Sequence, residues 1–214
     1  MKLNKLFKSH MVFAANKPIR IFGEGKGSAS ITFAGITKEF TSDNEKWLVE
    51  FPPMEYGGPY EMCINLNGEN VVIDDVYIGE VYLFAGQSNM QFKCKEATKP
   101  QKDYNPDNMI RFYVCDRLEE GDLYNSGNGW LVCSDDVAKD ISAVGYFTSC
   151  EINAKKDIAI GGVCCYQGAS VIESWVPRNA FKNAGIDIPI EKRTRSHVCE
   201  EYSAWNSDGC LYDF

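Results

Sequence analysis

Ser88 is the residue of this sequence best placed to do chemistry. It stands in Gly86-Gln87-Ser88-Asn89-Met90, directly after the apolar run Val81-Tyr82-Leu83-Phe84-Ala85. A short unbroken run of β-branched and aromatic residues predicts a strand buried on both faces. A hydroxyl just past the carboxyl end of such a strand lies where open α/β sheets hold their ligands. Two readings fit that position: a nucleophile, or a polar turn capping the next helix. A second loop of small residues, Gln167-Gly168-Ala169-Ser170, follows another apolar run, Ile158 to Tyr166. Acyl transfer needs a nucleophilic oxygen, a base to take its proton, and hydrogen-bond donors aimed at the developing oxyanion. Ser88 offers the oxygen and its own N–H. The Gly168-Ala169 turn offers a backbone donor where a bulky side chain would obstruct the approach, although without Ser88 the glycine reads as a turn at a helix entry.

The elements that must position these loops are of two kinds. From Pro18 to about Asp75 the pattern is β: Ile19–Phe22, Ser30–Phe33, Trp47–Phe51, Tyr60–Ile64 and Asn70–Ile73 are short, partly alternating runs. Gly, Pro, Asn and Asp clusters separate them, which predicts a small β-sandwich. After Ser88 come a polar loop from Cys94 to Met109, a strand Ile110–Val114, and a loop through Gly129. One helix is then expected from an N-cap at Ser134 or Asp135 to about Lys155. Its apolar stripe is Val137, Ile141, Val144, Phe147, Cys150 and Ala154. Buried strand, helix and buried strand in that order predict parallel neighbours, so that the Ser88 and Gly168 loops open on the same edge.

A net charge of −8 over 214 residues argues against nucleic acid or an anionic membrane as the main partner. The basic cluster Lys192-Arg193-Arg195 reads as a solvated loop. An apolar content of 44% supports a packed core. Nine cysteines, with no C-x-x-C pair and two histidines, give no zinc pattern and fit free thiols in a reducing cytosol. The first fifteen residues interrupt their apolar positions too often for a signal-peptide core. The expectation is a cytoplasmic chain without metal or cofactor.

Taken together, these motifs resemble the sialate O-acetylesterase family, a branch of the SGNH hydrolases that remove acetyl groups from sugars. Gly86-Gln87-Ser88-Asn89-Met90 and its lead-in Asp75-Val76-Tyr77-Ile78-Gly79-Glu80-Val81-Tyr82 are similar to the nucleophile block. Gly168-Ala169-Ser170-Val171-Ile172-Glu173-Ser174-Trp175 resembles a Gly-Gly-Thr-x-Ile-Glu-Ala-Trp block. His10–Phe13, Lys17–Gly23 and Gly57–Tyr60 are similar to the β domain that precedes the esterase domain. The resemblance implies an α/β chain with a β-sandwich-like domain over 1–75. Residues 76–214 would then be the first part of a flavodoxin-like, parallel-sheet α/β/α domain. It makes Ser88 the nucleophile and one oxyanion donor, Gly168 a second donor, and Gln87, Asn89 and Ala169 substrate-binding positions; Glu173 and Trp175 match the block, the tryptophan as a structural residue.

Two departures accompany the resemblance. Ala169 replaces the second glycine of its block. Neither the family's Asn-containing block nor its Asp-x-x-His block occurs before Phe214, so the chain is expected to stop within its second domain. The implied activity is a carbohydrate O-acetylesterase, weak or absent in this chain alone. The base would come from the rest of the domain or from a displaced His197. The competing reading is a catalytically dead carbohydrate-binding or structural remnant. The substrate class is an acetylated sugar, sialic acid or a neutral polysaccharide.

Overall fold

The computed structural model describes residues 1–97, 109–115, 129–168, 180 and 183–186. These are mostly β, in mixed sheets with a few helices. A three-stranded antiparallel sheet contains β1 (Lys2–Leu3), β3 (Ile19–Glu24) and β6 (Lys46–Phe51). It faces the antiparallel half of a larger sheet: β4 (Gly27–Phe33), β5 (Ile36–Ser42), β7 (Gly57–Leu66) and the long β8 (Glu69–Gly86). Period-two alternation explains the packing. Ile19 and Ile21, Trp47, Val49 and Phe51, Ile31 and Phe33, and Met62 and Ile64 all point into one core, while their neighbours stay exposed. The run Ile36–Ser42 was not expected as a strand. It is an edge strand with little buried apolar surface, so the periodicity that marks its neighbours is faint there.

β8 also belongs to the second half of the sheet. Beyond Gly79 it pairs in parallel with β11 (Ile160–Tyr166), which pairs in parallel with β9 (Ile110–Val114); β10 (Trp130–Val132) closes that side antiparallel to β9. β2 (Val12–Ala14) runs parallel to β8 at Tyr77–Gly79. The expected parallel arrangement is therefore observed. Asp75, where the sequence reading divides the chain, lies inside β8 at a left-handed φ of 52°, opposite a register shift in β7. Such a bulge re-aims a side chain, and the displaced backbone is tied down by Asp74 N–H to Ser9 Oγ and His10 N–H to Asp74 O.

The single helix expected from 135 to 155 is two. α2 (Asp135–Asp140) begins at Ser134, whose hydroxyl accepts from Val137 N–H as the sequence suggests. The chain then extends through Ile141 and restarts at α3 (Ala143–Lys156). There the buried Ser142 hydroxyl accepts from Gly145 N–H at 3.2 Å. The restart shifts the helical phase. Val144 is 48% exposed, and α3 buries Gly145, Tyr146, Ser149 and Asn153 instead. Gly145 lets α3 lie close over Phe84, since a Cβ there would be 3.2 Å from its ring.

Strand burial also departs from expectation. Phe84 is buried under the helices, with Phe112, Ile160 and Cys164 in the same core, whereas Leu83 is 58% exposed and Ala85 is exposed. Among the described residues the helices cover one face of this stretch, so it is not buried on both. No described helix is long and apolar enough to cross a membrane.

Candidate active site

The parallel register places the ends of β8 and β11 side by side, with Gly86 opposite Tyr166. Gln167 N–H then continues the ladder to Gly86 O at 3.0 Å. Ser88 opens the short helix α1 (Ser88–Gln91), and its backbone N–H is among the first-turn amides that a helix leaves without an internal partner. The Ser88 side chain is exposed, and no described residue hydrogen-bonds its hydroxyl. Gln87 and Asn89, on either side, are exposed too.

Two contacts fix α1 from below. Met90 is partly buried in the helix-side core and accepts from Ser142 Oγ at 3.5 Å, and Ala143 N–H donates to Phe92 O at 2.8 Å. The short 3-10 turn Cys94–Glu96 follows. Beside it, Asp140 receives Lys93 at 3.3 Å and Lys95 at 2.5 Å. Burial would push the Asp140 carboxyl up, but the hydrogen bonds and charges of the two lysines outweigh it and hold the group below the usual carboxylate range.

Gly168 reaches over this helix. A Cβ on it would lie 3.8 Å from Ser88 Cα and 2.7 Å from Gln91 Oε1, so a side chain at 168 would have to displace the glutamine. The Gly168 N–H itself donates to Gln91 Oε1. Ser88 and Gly168 are thus brought together from 80 positions apart in the sequence. Ala169, Glu173, Trp175 and His197 lie outside the described residues.

Gln91 was not singled out from the sequence. Its one available signal was its place three residues after Ser88, which puts the two side chains on one helix face.

A second polar cluster lies far from this edge. Arg111 is 2% exposed; its Nη2 donates to Asp75 Oδ2 at 2.9 Å, its guanidinium sits 4.2 Å from the Tyr77 ring centroid, and His10 Nδ1 lies 2.8 Å from the same Asp75 oxygen. Arg111 Nε and Nη1 are buried without a hydrogen-bond partner. Burial alone would raise the Asp75 carboxyl, but hydrogen bonds from His10 and Arg111, with the arginine charge, lower it. About a dozen extended residues separate Asp75 from Ser88, roughly 35–40 Å. This His-Asp pair therefore cannot serve as base for the serine of the same chain. Among the described residues no group of histidine, cysteine, aspartate or glutamate is arranged to hold a metal ion.

Comparison with known proteins bears on this geometry. No family model matches the chain. The human sialate O-acetylesterase is 34% identical over 210 residues, a match that takes in 81% of this chain and 39% of that protein. The rat sialate O-acetylesterase is 28% identical over 198 residues, with 81% and 36% covered. The chain is homologous to the sialate O-acetylesterases. It spans less than two-fifths of the length of these curated relatives. The homology extends to structure: a carbohydrate acetylesterase from Xanthomonas citri superimposes with a TM-score of 0.75 at 25% identity, covering 87% of this chain and 44% of that one.

Proposed function

We propose that this chain carries the nucleophile of a carbohydrate O-acetylesterase. The observation that supports the reading is the juxtaposition of Ser88, exposed at the exit of β8, with the Gly168 turn at the exit of the parallel β11. In this reading residues 1–75 are a β-sandwich-like domain, and 76–214 belong to an SGNH-type α/β/α esterase domain. The Ser88 hydroxyl attacks the acetyl carbonyl. Its backbone N–H and that of Gly168 receive the negative charge that develops on the carbonyl oxygen; the bond from the acetyl carbon to the sugar oxygen then breaks, the sugar leaves as its free hydroxyl with the proton taken from Ser88, and water hydrolyses the acetyl-serine to acetate and free serine. Gln87, Asn89 and Ala169 border the sugar.

The proton acceptor comes from outside the described residues, either His197 or a further segment of the domain. Without a base within about 2.6–3.2 Å, or one water away, a serine is a weak nucleophile near neutral pH, and the isolated chain turns over slowly. Acetylated sugars, sialic acid or neutral polysaccharides, are the substrate class.

Acetate release from O-acetylated xylo-oligosaccharides and from O-acetylated sialic acid, by the chain and by its Ser88→Ala variant, tests the proposal. Release that is slow and disappears in Ser88→Ala supports it. Release that survives the substitution places the nucleophile elsewhere. Binding of the sugar without release, unchanged by Ser88→Ala, would favour a carbohydrate-binding role.

A further inference from the structure

The amide that the proposed reaction reserves for the oxyanion is already engaged. Gly168 N–H donates to Gln91 Oε1 at 2.5 Å, and that acceptor is an sp² carboxamide oxygen, the same kind of atom as the oxygen of an acyl carbonyl. It reaches the amide from the last residue of the helix that Ser88 begins, on the face that Ser88 shares. The oxygen fills the gap between α1 and the turn, because it stands 2.7 Å from where a Cβ of residue 168 would be. The turn is not free to swing away, since Gln167 N–H is bonded to Gly86 O at 3.0 Å.

We infer that Gln91 is an internal substitute for the acyl carbonyl: its Oε1 holds the Gly168 donor in place, and a substrate carbonyl gains that donor by displacing it. The inference rests on the reading of Ser88 as nucleophile and Gly168 as oxyanion donor. A glutamine suits the role. It is neutral, so it brings no negative charge beside Ser88, and its flexible side chain gives up one neutral hydrogen bond when it leaves. A glutamate at the same place would accept a charge-assisted bond, about twice as strong, and would repel a developing oxyanion. Gln91 therefore acts through Gly168 as a positioning residue.

A fluorophosphonate reports on the exchange. The Ser88 oxygen attacks phosphorus, the O–P bond forms as the P–F bond breaks, fluoride leaves, and the hydroxyl proton passes to solvent. The phosphonyl oxygen meanwhile occupies the oxyanion position. The rate of labelling at Ser88 is read by intact mass and peptide mapping, alongside the thermal midpoint. Gln91→Ala is expected to label roughly three- to tenfold faster than the unaltered chain, the factor for freeing one neutral hydrogen bond. Gln91→Glu is expected to label more slowly than the unaltered chain. The thermal midpoint of Gln91→Ala should not rise. Reactivity that increases while stability does not is an outcome that a merely structural contact would not give. Should Gln91→Ala fold poorly, Gln91→Met keeps the side-chain bulk without the acceptor and carries the same expectation. Labelling of both chains at Ser88, with the alanine or methionine variant no faster than the unaltered chain, overturns the inference and leaves the Ser88 reading standing. Failure of both to label at Ser88 overturns the reading and the inference with it.

Discussion

An Asp75→Asn substitution separates charge from shape at the junction of the two halves. Arg111 is 2% exposed, and its guanidinium faces the Asp75 carboxylate at 2.9 Å with two further nitrogens unpartnered. Asparagine keeps an oxygen for the hydrogen bond and tolerates the left-handed backbone at φ 52°, so no strain is added. What is lost is the negative charge. Removing one partner of a buried pair leaves the other uncompensated and costs about 3–5 kcal/mol; the retained oxygen puts this variant at about 3. Arg111→Met should cost less, about 1–2 kcal/mol. The Asp75 side chain is 30% exposed and keeps His10, while methionine fills the space over Tyr77. Urea unfolding followed by the fluorescence of the buried Trp47 and Trp130 measures both. With a slope of about 2 kcal/mol/M, the asparagine variant should lose about 1.5 M in midpoint and the methionine variant clearly less. An Arg111→Met loss equal to or larger than that of Asp75→Asn would show that packing, not charge, holds the junction, and the reasoning would fail.

Three further outcomes are expected. Because the folded Asp75 carboxyl is lowered, its contribution is complete above the unfolded carboxylate range, near pH 4, and is lost as pH falls through the lower folded value; the stability gap between the unaltered chain and Asp75→Asn should be flat near neutrality and close below about pH 4 in a urea-midpoint series. Ser142→Ala removes a fully buried cap from Gly145 N–H and should cost about 1–2 kcal/mol, a fall of several degrees in the thermal midpoint, whereas Ser134→Ala, at an exposed cap, should cost less. The Cys94 thiol is 2% exposed and pushed by burial up to about 12, so in the native chain iodoacetamide should modify the exposed Cys63 within the time in which Cys94 stays intact, and unfolding should abolish the difference, as peptide mass mapping can follow.

The parts of this fold that were legible in the sequence are those with a local cause. Short runs rich in apolar residues, that of β9 broken by one charge, gave β9 and β11, a capping hydroxyl gave the start of α2, and the need for a long connection gave the parallel pairing that sets Ser88 beside Gly168. The parts that were missed depend on what lies across the chain. Leu83 looks like a core residue by type, and only the absence of a covering layer among the described residues exposes it. Ile141 fits a continuous helical stripe, yet Ser142 beside it gains a buried cap where the helix breaks. Arg111 is itself a signal: one charge in the run Ile110-Arg111-Phe112-Tyr113-Val114 must either face solvent or find a buried partner, and the partner, Asp75, is aimed by a bulge that residue type alone does not announce. The Gln91 contact with Gly168 joins residues 77 apart and has no local trace.

β8 is one strand of 18 residues shared by two cores. Its alternation of sides, set by the Asn67-Gly68 hairpin at one end, is shifted by one residue at the Asp75 bulge, so that Ile73 and Val76 both face the core, and the new phase runs from Val76 through Ile78 to Phe84 and the exit toward Ser88. Because one step of register exchanges the faces of a strand, a single-residue insertion or deletion after Asp75 would turn Phe84 out of the helix-side core and swing the serine away from the Gly168 turn in the same stroke. The two halves are thus inherited as one unit of phase: recombination that swaps either half would have to preserve the count of residues along this strand.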